Sequence, residues 1–181
     1  MTADSVQAGI EEPGFKERWG SARSRTVSWN DPTPTTEIGL SMPGIDYLGA
    51  MRDGVLPPPP ISGLMQFDLV EVEQGRVVFA CRPDESMYNP IGSVHGGVVC
   101  TLLDSVLGCA LHSTLPQGRG YTSVEIKVNY LKAVRMSSGV LTATGTVVKS
   151  GSRVGFTEGS IVDAAGSVVA TASSTLLVFD M

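Results

Sequence analysis

The residues best placed to do chemistry lie in one stretch. Asn89-Pro90-Ile91-Gly92-Ser93-Val94-His95-Gly96-Gly97 is polar and turn-forming, and it leads into an apolar run, residues 98–111, broken by a single charge, Asp104. A carboxylate among hydrophobes is costly to bury and easy to replace, so Asp104 needs a reason. It can be a satisfied polar group at a helix contact or a reacting carboxylate, and its position supports both readings equally. Gly96 and Gly97 would put backbone N–H groups at the positive end of a helix, with no Cβ to block approach. That suits a carbonyl oxygen or a developing oxyanion. His95 can orient a ligand or simply cap the helix, and Asn89, six residues earlier, can offer an amide donor to the same oxygen.

At 100° per residue, Gly97, Cys100, Thr101, Asp104 and Gly108 share one stripe of that helix, opposite Val98, Val99, Leu102, Leu103 and Val106. Small residues on the stripe allow another backbone, or a ligand, to come close. Gly96 and Asp104 are eight residues apart, or about 12 Å along the axis. A base must act within about 3 Å or through one water. If both residues serve one site, they must therefore come from different subunits, as two antiparallel helices in a twofold dimer would arrange twice over.

The elements around the stretch follow from its flanks. Residues 1–36 are polar, with isolated Trp19 and Trp29, and read as a mobile or draping arm. Residues 42–54 fit a short amphipathic helix ended by Gly54. Pro57 to Pro60 stiffen the chain into an extended connector, better read as a linker than as a recognition motif. Strands are expected over residues 67–72 and 76–82, joined by the turn Glu73-Gln74-Gly75, then a loop, then a helix over residues 97–113. Four more strands are expected over residues 121–131, 140–149, 153–162 and 167–179, with hairpin-length turns between the later ones. A long, almost wholly apolar helix among six antiparallel strands must be wrapped by the sheet. Leu103, Leu107 and Cys109 suggest an apolar tunnel beside it.

Composition bounds the alternatives. The chain has 181 residues, 42% hydrophobic and 17% charged, within the range of a globular domain with an appendage. A net charge of −5 argues against nucleic-acid binding, which needs a basic footprint. Cys81, Cys100 and Cys109 are odd in number and set in apolar sequence, so they read as buried hydrophobes of a reducing compartment. No Cys pair has CxxC spacing and the two histidines are far apart, so neither a metal site nor a resident cofactor is expected. With no basic-then-apolar leader pattern and no apolar run of membrane-spanning length, the expected address is the cytoplasm, without membrane attachment.

Asn89, His95-Gly96-Gly97 and Asp104 at the head of an apolar helix, followed by Ser123-Val124-Glu125 and Tyr130, resemble the hotdog-fold acyl-CoA thioesterases of the PaaI type. The resemblance covers residues 61–181, leaving residues 1–60 as an N-terminal extension. It implies an α+β hotdog fold, a six-stranded antiparallel sheet of order β-β-α-β-β-β-β wrapped around a long central helix. It also implies a homodimer and usually a dimer of dimers, a homotetramer. The substrate it implies is an acyl-CoA, with CoA as part of the substrate rather than a cofactor. Asn89 and the Gly96 N–H would polarise the thioester carbonyl, and Asp104 from the facing subunit would act as general base or nucleophile. His95 would fix the thioester end and Ser123 would position water or Asp104. CoA contacts are implied for Gly97, for Tyr130, Lys132 and Arg135, and for Lys149, Ser150, Gly151 and Arg153. Ordinary solvated charges at strand ends are an equally good reading of any one of these cations. Lys132-Ala133 stands where many relatives carry Arg-Pro.

Other chemistries find less support. The Asp/Asn/His arrangement of a hotdog hydratase is missing, and there is no G-x-S-x-G elbow, P-loop or G-x-G-x-x-G. The extension has too few cations and too little helical periodicity for a DNA-binding module. The remaining alternative from another class is an acyl-CoA-binding protein without turnover.

Overall fold

The computed structural model describes residues 18–181. Part of the expected arm, residues 1–17, lies outside the described residues. Trp19 and Trp29 are exposed. The arm does not stay irregular to residue 36, because a helix, α1 (Pro32–Leu40), starts within it. Asp31 accepts a hydrogen bond from the Thr33 N–H at 2.9 Å, and Pro32 takes the first helical position, where a missing N–H costs nothing. These start signals work without apolar periodicity, which is why a reading based on periodicity missed the helix.

The expected amphipathic helix forms as α2 (Gly44–Arg52) and stops at Asp53-Gly54, where Gly54 takes φ +71°. The chain is extended through Pro59, and Pro60 then opens a short helix, α3 (Pro60–Met65), closed by Gln66 in the left-handed region. The sheet strands follow close to their expected limits. They are β1 (Phe67–Glu73), β2 (Arg76–Cys81), β3 (Arg119–Tyr130), β4 (Leu141–Ser150), β5 (Val154–Val162) and β6 (Val168–Asp180). Between β2 and β3 runs the central helix, α4 (Gly96–His112). All pairings are antiparallel and the spatial order is β1-β2-β4-β5-β6-β3. The strand that follows α4 therefore goes to the far edge, and the chain then returns to fill the middle of the sheet.

The sheet closes around one side of α4. Val99, Leu102, Leu103, Val106 and Leu107 are buried against Val77, Leu141, Ala143 and Ile161. Each such side chain contributes about 1.5–3 kcal/mol on leaving water. Close approach depends on Gly145 of β4, where a Cβ would lie 2.5 Å from the Val106 carbonyl oxygen.

The extension is fastened to the C-terminal end of α4. The Gly44 N–H donates to the Leu115 carbonyl at 3.0 Å. A Cβ on Gly44 would fall 1.9 Å from the His112 carbonyl oxygen. Tyr47 packs on the His112 ring at 5.6 Å between centroids, and His112 packs on Tyr121 at 5.4 Å. Leu48 is 2% exposed and belongs to the main core. At the other end of the sheet, Lys132 donates to the buried Asp163 carboxylate at 2.6 Å. Asp163 also accepts from the Ala165 and Ser167 N–H groups, which ties the segment after β3 to the β5–β6 turn.

Gly44→Ala is expected to destabilise the protein by about 1–3 kcal/mol, the usual cost of overpacking. Urea unfolding would measure it, with faster amide exchange in residues 44–52. The Lys132 ammonium, aided by the two N–H groups, holds the Asp163 carboxyl below the ordinary carboxylate range. With a folded-state pKa below the unfolded value of about 4, this stabilisation is complete above that pH and is lost as pH falls through the lower native value. Asp163→Asn is therefore expected to flatten the acid limb of a stability–pH profile.

Candidate active site

Asp104 lies on the one long side of α4 that the sheet does not cover, and it is exposed. Within one chain the carboxylate thus avoids the desolvation cost its apolar sequence context implied. Its partner comes from β3, where a register shift between Ser123 and Glu125 interrupts the pairing with β6. The Ser123 hydroxyl donates to Asp104 Oδ1 at 2.6 Å. That distance is typical of a charge-assisted O–H···O⁻ bond. Of the adjacent Thr122 and Ser123, it is Ser123 that engages the carboxylate.

At the start of α4, His95 Nδ1 accepts the Gly97 N–H at 2.9 Å, so His95 caps the helix. A neutral ring accepting at Nδ1 carries its proton on Nε2, the nitrogen left for a ligand. The Tyr130 hydroxyl donates to the Gly96 carbonyl at 3.0 Å. A Cβ on Gly96 would meet the Tyr130 ring at 3.3 Å, so Tyr130 is packed against the helix start. Asn89 is turned toward its own loop. Its Oδ1 accepts the Ile91 and Ser93 N–H groups and its amide donates to the Ser93 hydroxyl at 3.0 Å. This fixes the loop that leads into His95 and leaves one amide N–H for a ligand.

The expected CoA contacts fall into two groups. Tyr130, Lys132 and Arg135 lie toward the N-terminal end of α4, with Arg135 donating to the Gly92 carbonyl at 3.3 Å. Lys132 is already engaged by Asp163. Lys149, Ser150, Gly151 and Arg153 surround the β4–β5 turn, where the Ser150 hydroxyl lies 3.1 Å from that of Thr114, just past the other end of α4. Lys149 and Arg153 are exposed. A helix of 17 residues keeps its ends about 25 Å apart, so the structure brings the two groups together no more than it brings Gly96 to Asp104.

Beside Asp104 and Ser123 lies a cavity of about 540 Å³. The sheet supplies Phe67, Leu69 and Phe79 to its wall, and the extension supplies Leu48, Met51 and Leu56. Of the residues expected to border an apolar tunnel, Leu103 and Leu107 do not line this cavity. Both are fully buried on the face of α4 pressed against the sheet, and only Cys109 of that trio reaches the cavity. Sequence reasoning missed the extension residues, although the helical spacing of Leu48 and Met51 was a usable signal. Burial pushes the Cys109 thiol up to about 12, and burial first, then Cys109, raises Tyr121 well above the ordinary tyrosine range. Both therefore present uncharged groups to the cavity. A closed, dry void of this volume would cost on the order of 10 kcal/mol, comparable with the whole stability of a domain. The space is not a packing defect.

No helix among the described residues is long and apolar enough to cross a membrane. Residues 91–170 match the family model of the thioesterase superfamily. Human acyl-coenzyme A thioesterase 13 is 28% identical over 113 residues, 62% of this chain and 79% of that protein. A hypothetical thioesterase protein from Streptococcus pneumoniae, solved with coenzyme A, is 28% identical with a TM-score of 0.58, covering 64% of this chain and 90% of its own. The E. coli PaaI protein from the phenylacetic acid degradation operon shares the fold at 21% identity, with a TM-score of 0.64 over 76% of this chain and 95% of its own. The six-stranded antiparallel sheet around α4 is the fold these thioesterases share, and residues 91–170, which span α4 and the strands after it, carry the thioesterase-superfamily match.

Proposed function

We propose that this chain hydrolyses the thioester of an acyl-CoA to a free acid and CoA. The observation that carries the reading is the Ser123–Asp104 hydrogen bond beside an apolar cavity. A thioester is already activated, so orientation, an oxyanion donor and one carboxylate are enough. Ser123 occupies Oδ1 of Asp104 and leaves Oδ2 for the reaction. As general base, Asp104 takes a proton from water while the water oxygen adds to the carbonyl carbon. The C–S bond then breaks and the CoA thiolate leaves, to be protonated. As nucleophile, Asp104 adds to the carbonyl carbon and expels the CoA thiolate as the C–S bond breaks, and water then cleaves the resulting mixed anhydride to the free acid and the Asp104 carboxylate. The Gly96 N–H and the remaining Asn89 amide proton receive the developing oxyanion, with His95 Nε2 and Gly97 beside them.

Gly96 and Asp104 lie eight residues apart on one rigid helix, so the complete site uses Gly96 of one protomer and Asp104 of the partner subunit. Two α4 helices packed antiparallel along their uncovered stripes satisfy this and generate two sites. The same arrangement brings the Tyr130–Arg135 group of one protomer next to the Lys149–Arg153 turn of the other, giving one CoA both sets of contacts. Lys149 and Arg153 are the freer phosphate partners, since Lys132 is held by Asp163. A dimer of dimers completes the proposed assembly. Cys81, Cys100 and Cys109 all carry free thiols, consistent with a reducing cytoplasm.

Thiol release from a panel of acyl-CoAs is the direct test. Asp104→Asn is expected to lower it at least about 100-fold with the fold intact. Ser123→Ala is expected to cost on the order of tenfold in kcat, with KM less affected. Turnover by Asp104→Asn at the wild-type rate would remove Asp104 from the mechanism. Binding without any thiol release would leave an acyl-CoA-binding protein instead. Sedimentation coupled to the assay is expected to find activity only in the dimer or larger species, and a fully active monomer would overturn the shared site.

A further inference from the structure

The cavity beside Asp104 has a composition and a source that say more than that it can hold an acyl group. Its wall is built in part by the extension. Met51 projects from α2, Leu56 and Pro57 follow it, and Ile61 belongs to α3. These residues face Phe67 and Phe79 of the sheet across the space that begins at Asp104 and Ser123. The charges in the lining other than Asp104 already have partners. Arg52 is paired with Asp53 at 2.8 Å, and Asp68 with Arg82 at 3.2 Å. Cys109 and Tyr121 remain protonated. Among the described residues the lining therefore offers no unpaired cation to hold a second carboxylate, so the occupant is neutral beyond its thioester.

Volume narrows the class further. A carbon-sized group takes up about 30 Å³, the share of a water molecule. The 540 Å³ available then suits a chain on the order of a dozen methylenes, with room at the mouth. An acetyl group or a single aromatic ring would leave most of the wall without contacts, and uncontacted wall gives no binding. Flexible Met and Leu side chains line the extension side, which suits an aliphatic chain with many rotamers better than a flat ring.

We infer that residues 44–62 form the specificity wall of the acyl chamber, and that the chamber selects an uncharged, aliphatic acyl group of intermediate length. The inference rests on the acyl-CoA reading of the site and adds its substrate class.

The test uses the full chain with straight-chain acyl-CoAs from acetyl to palmitoyl, and with phenylacetyl-CoA. The expected kcat/KM profile peaks between octanoyl and dodecanoyl. Met51→Trp, which fills the chamber, is expected to lower the decanoyl-to-butyryl ratio of kcat/KM at least about tenfold, within the range a hydrophobic pocket can discriminate. Met51→Ala, which enlarges it, is expected to move the peak toward longer chains. A peak at acetyl or phenylacetyl, or a ratio that neither substitution moves, overturns the inference and leaves hydrolysis standing. Calorimetric titration with S-decyl-CoA and S-butyl-CoA, thioethers that cannot be hydrolysed, reads the chamber without turnover. A decyl preference that depends on Met51, in a protein that hydrolyses no acyl-CoA, would support the chamber and refute the hydrolase. No decyl preference would refute the chamber directly.

Discussion

The rigidity of α4 is the constraint on which the rest of this structure depends. A hydrogen-bonded helix advances by about 1.5 Å per residue and does not shorten. Gly96 at its start and Asp104 two turns later are therefore held at a fixed separation, longer than any hydrogen bond and longer than a one-water bridge. No side-chain rotation removes that gap. An oxyanion donor and a carboxylate on one helix can serve one carbonyl only if a second copy of the helix runs the other way. The uncovered stripe on α4 fits such a pairing, as do the two cationic clusters at opposite helix ends.

Holding the helix requires close contact on its other side. Gly145 lets the β4 backbone come up to the Val106 carbonyl, while Leu102, Leu103, Val106 and Leu107 fill the concavity of the sheet. Burial of this face fixes the rotation of α4 about its axis. That rotation in turn decides that Asp104 points away from the core and toward Ser123. The cavity wall is uncharged at Cys109 and Tyr121, where partial burial lifts the thiol to about 12 and raises the phenol well above the ordinary tyrosine range.

Much of this was legible in the sequence, because the signals were local. Alternation along residues 121–131, the Gly75 turn and the unbroken apolar run after Gly97 each specify an element without tertiary knowledge. The helical stripe carrying Asp104 could be drawn from 3.6-residue periodicity alone. What stayed hidden depended on cap chemistry or on packing partners. The Asp31-Pro32 start signal for α1 has no apolar pattern behind it. Leu103, Leu107 and Cys109 together suggest an apolar tunnel, yet the packing of α4 on the sheet decides that only Cys109 reaches the cavity. Asn89 was expected to point at a substrate oxygen, and its side chain is largely committed to Ile91 and Ser93. Its Oδ1 accepts both N–H groups at once, and spacing does not reveal that local commitment.

The extension contributes differently from the rest of the fold. Its fastening to the hotdog body includes the bare Cα of Gly44 against His112, the tilted Tyr47–His112 ring contact and the deeply inserted side chain of Leu48. The segment beyond those anchors, including the prolines, makes no strand pairing and carries none of the residues that hold α4 in place. A protein built this way separates two jobs that usually compete. On the proposed reading, chemistry resides on a helix whose orientation the core fixes, while selectivity resides on a strap whose prolines and loop residues can be substituted without loosening that core. Descendants of such a chain can diverge in the acyl group they accept while keeping the same reacting carboxylate in the same place.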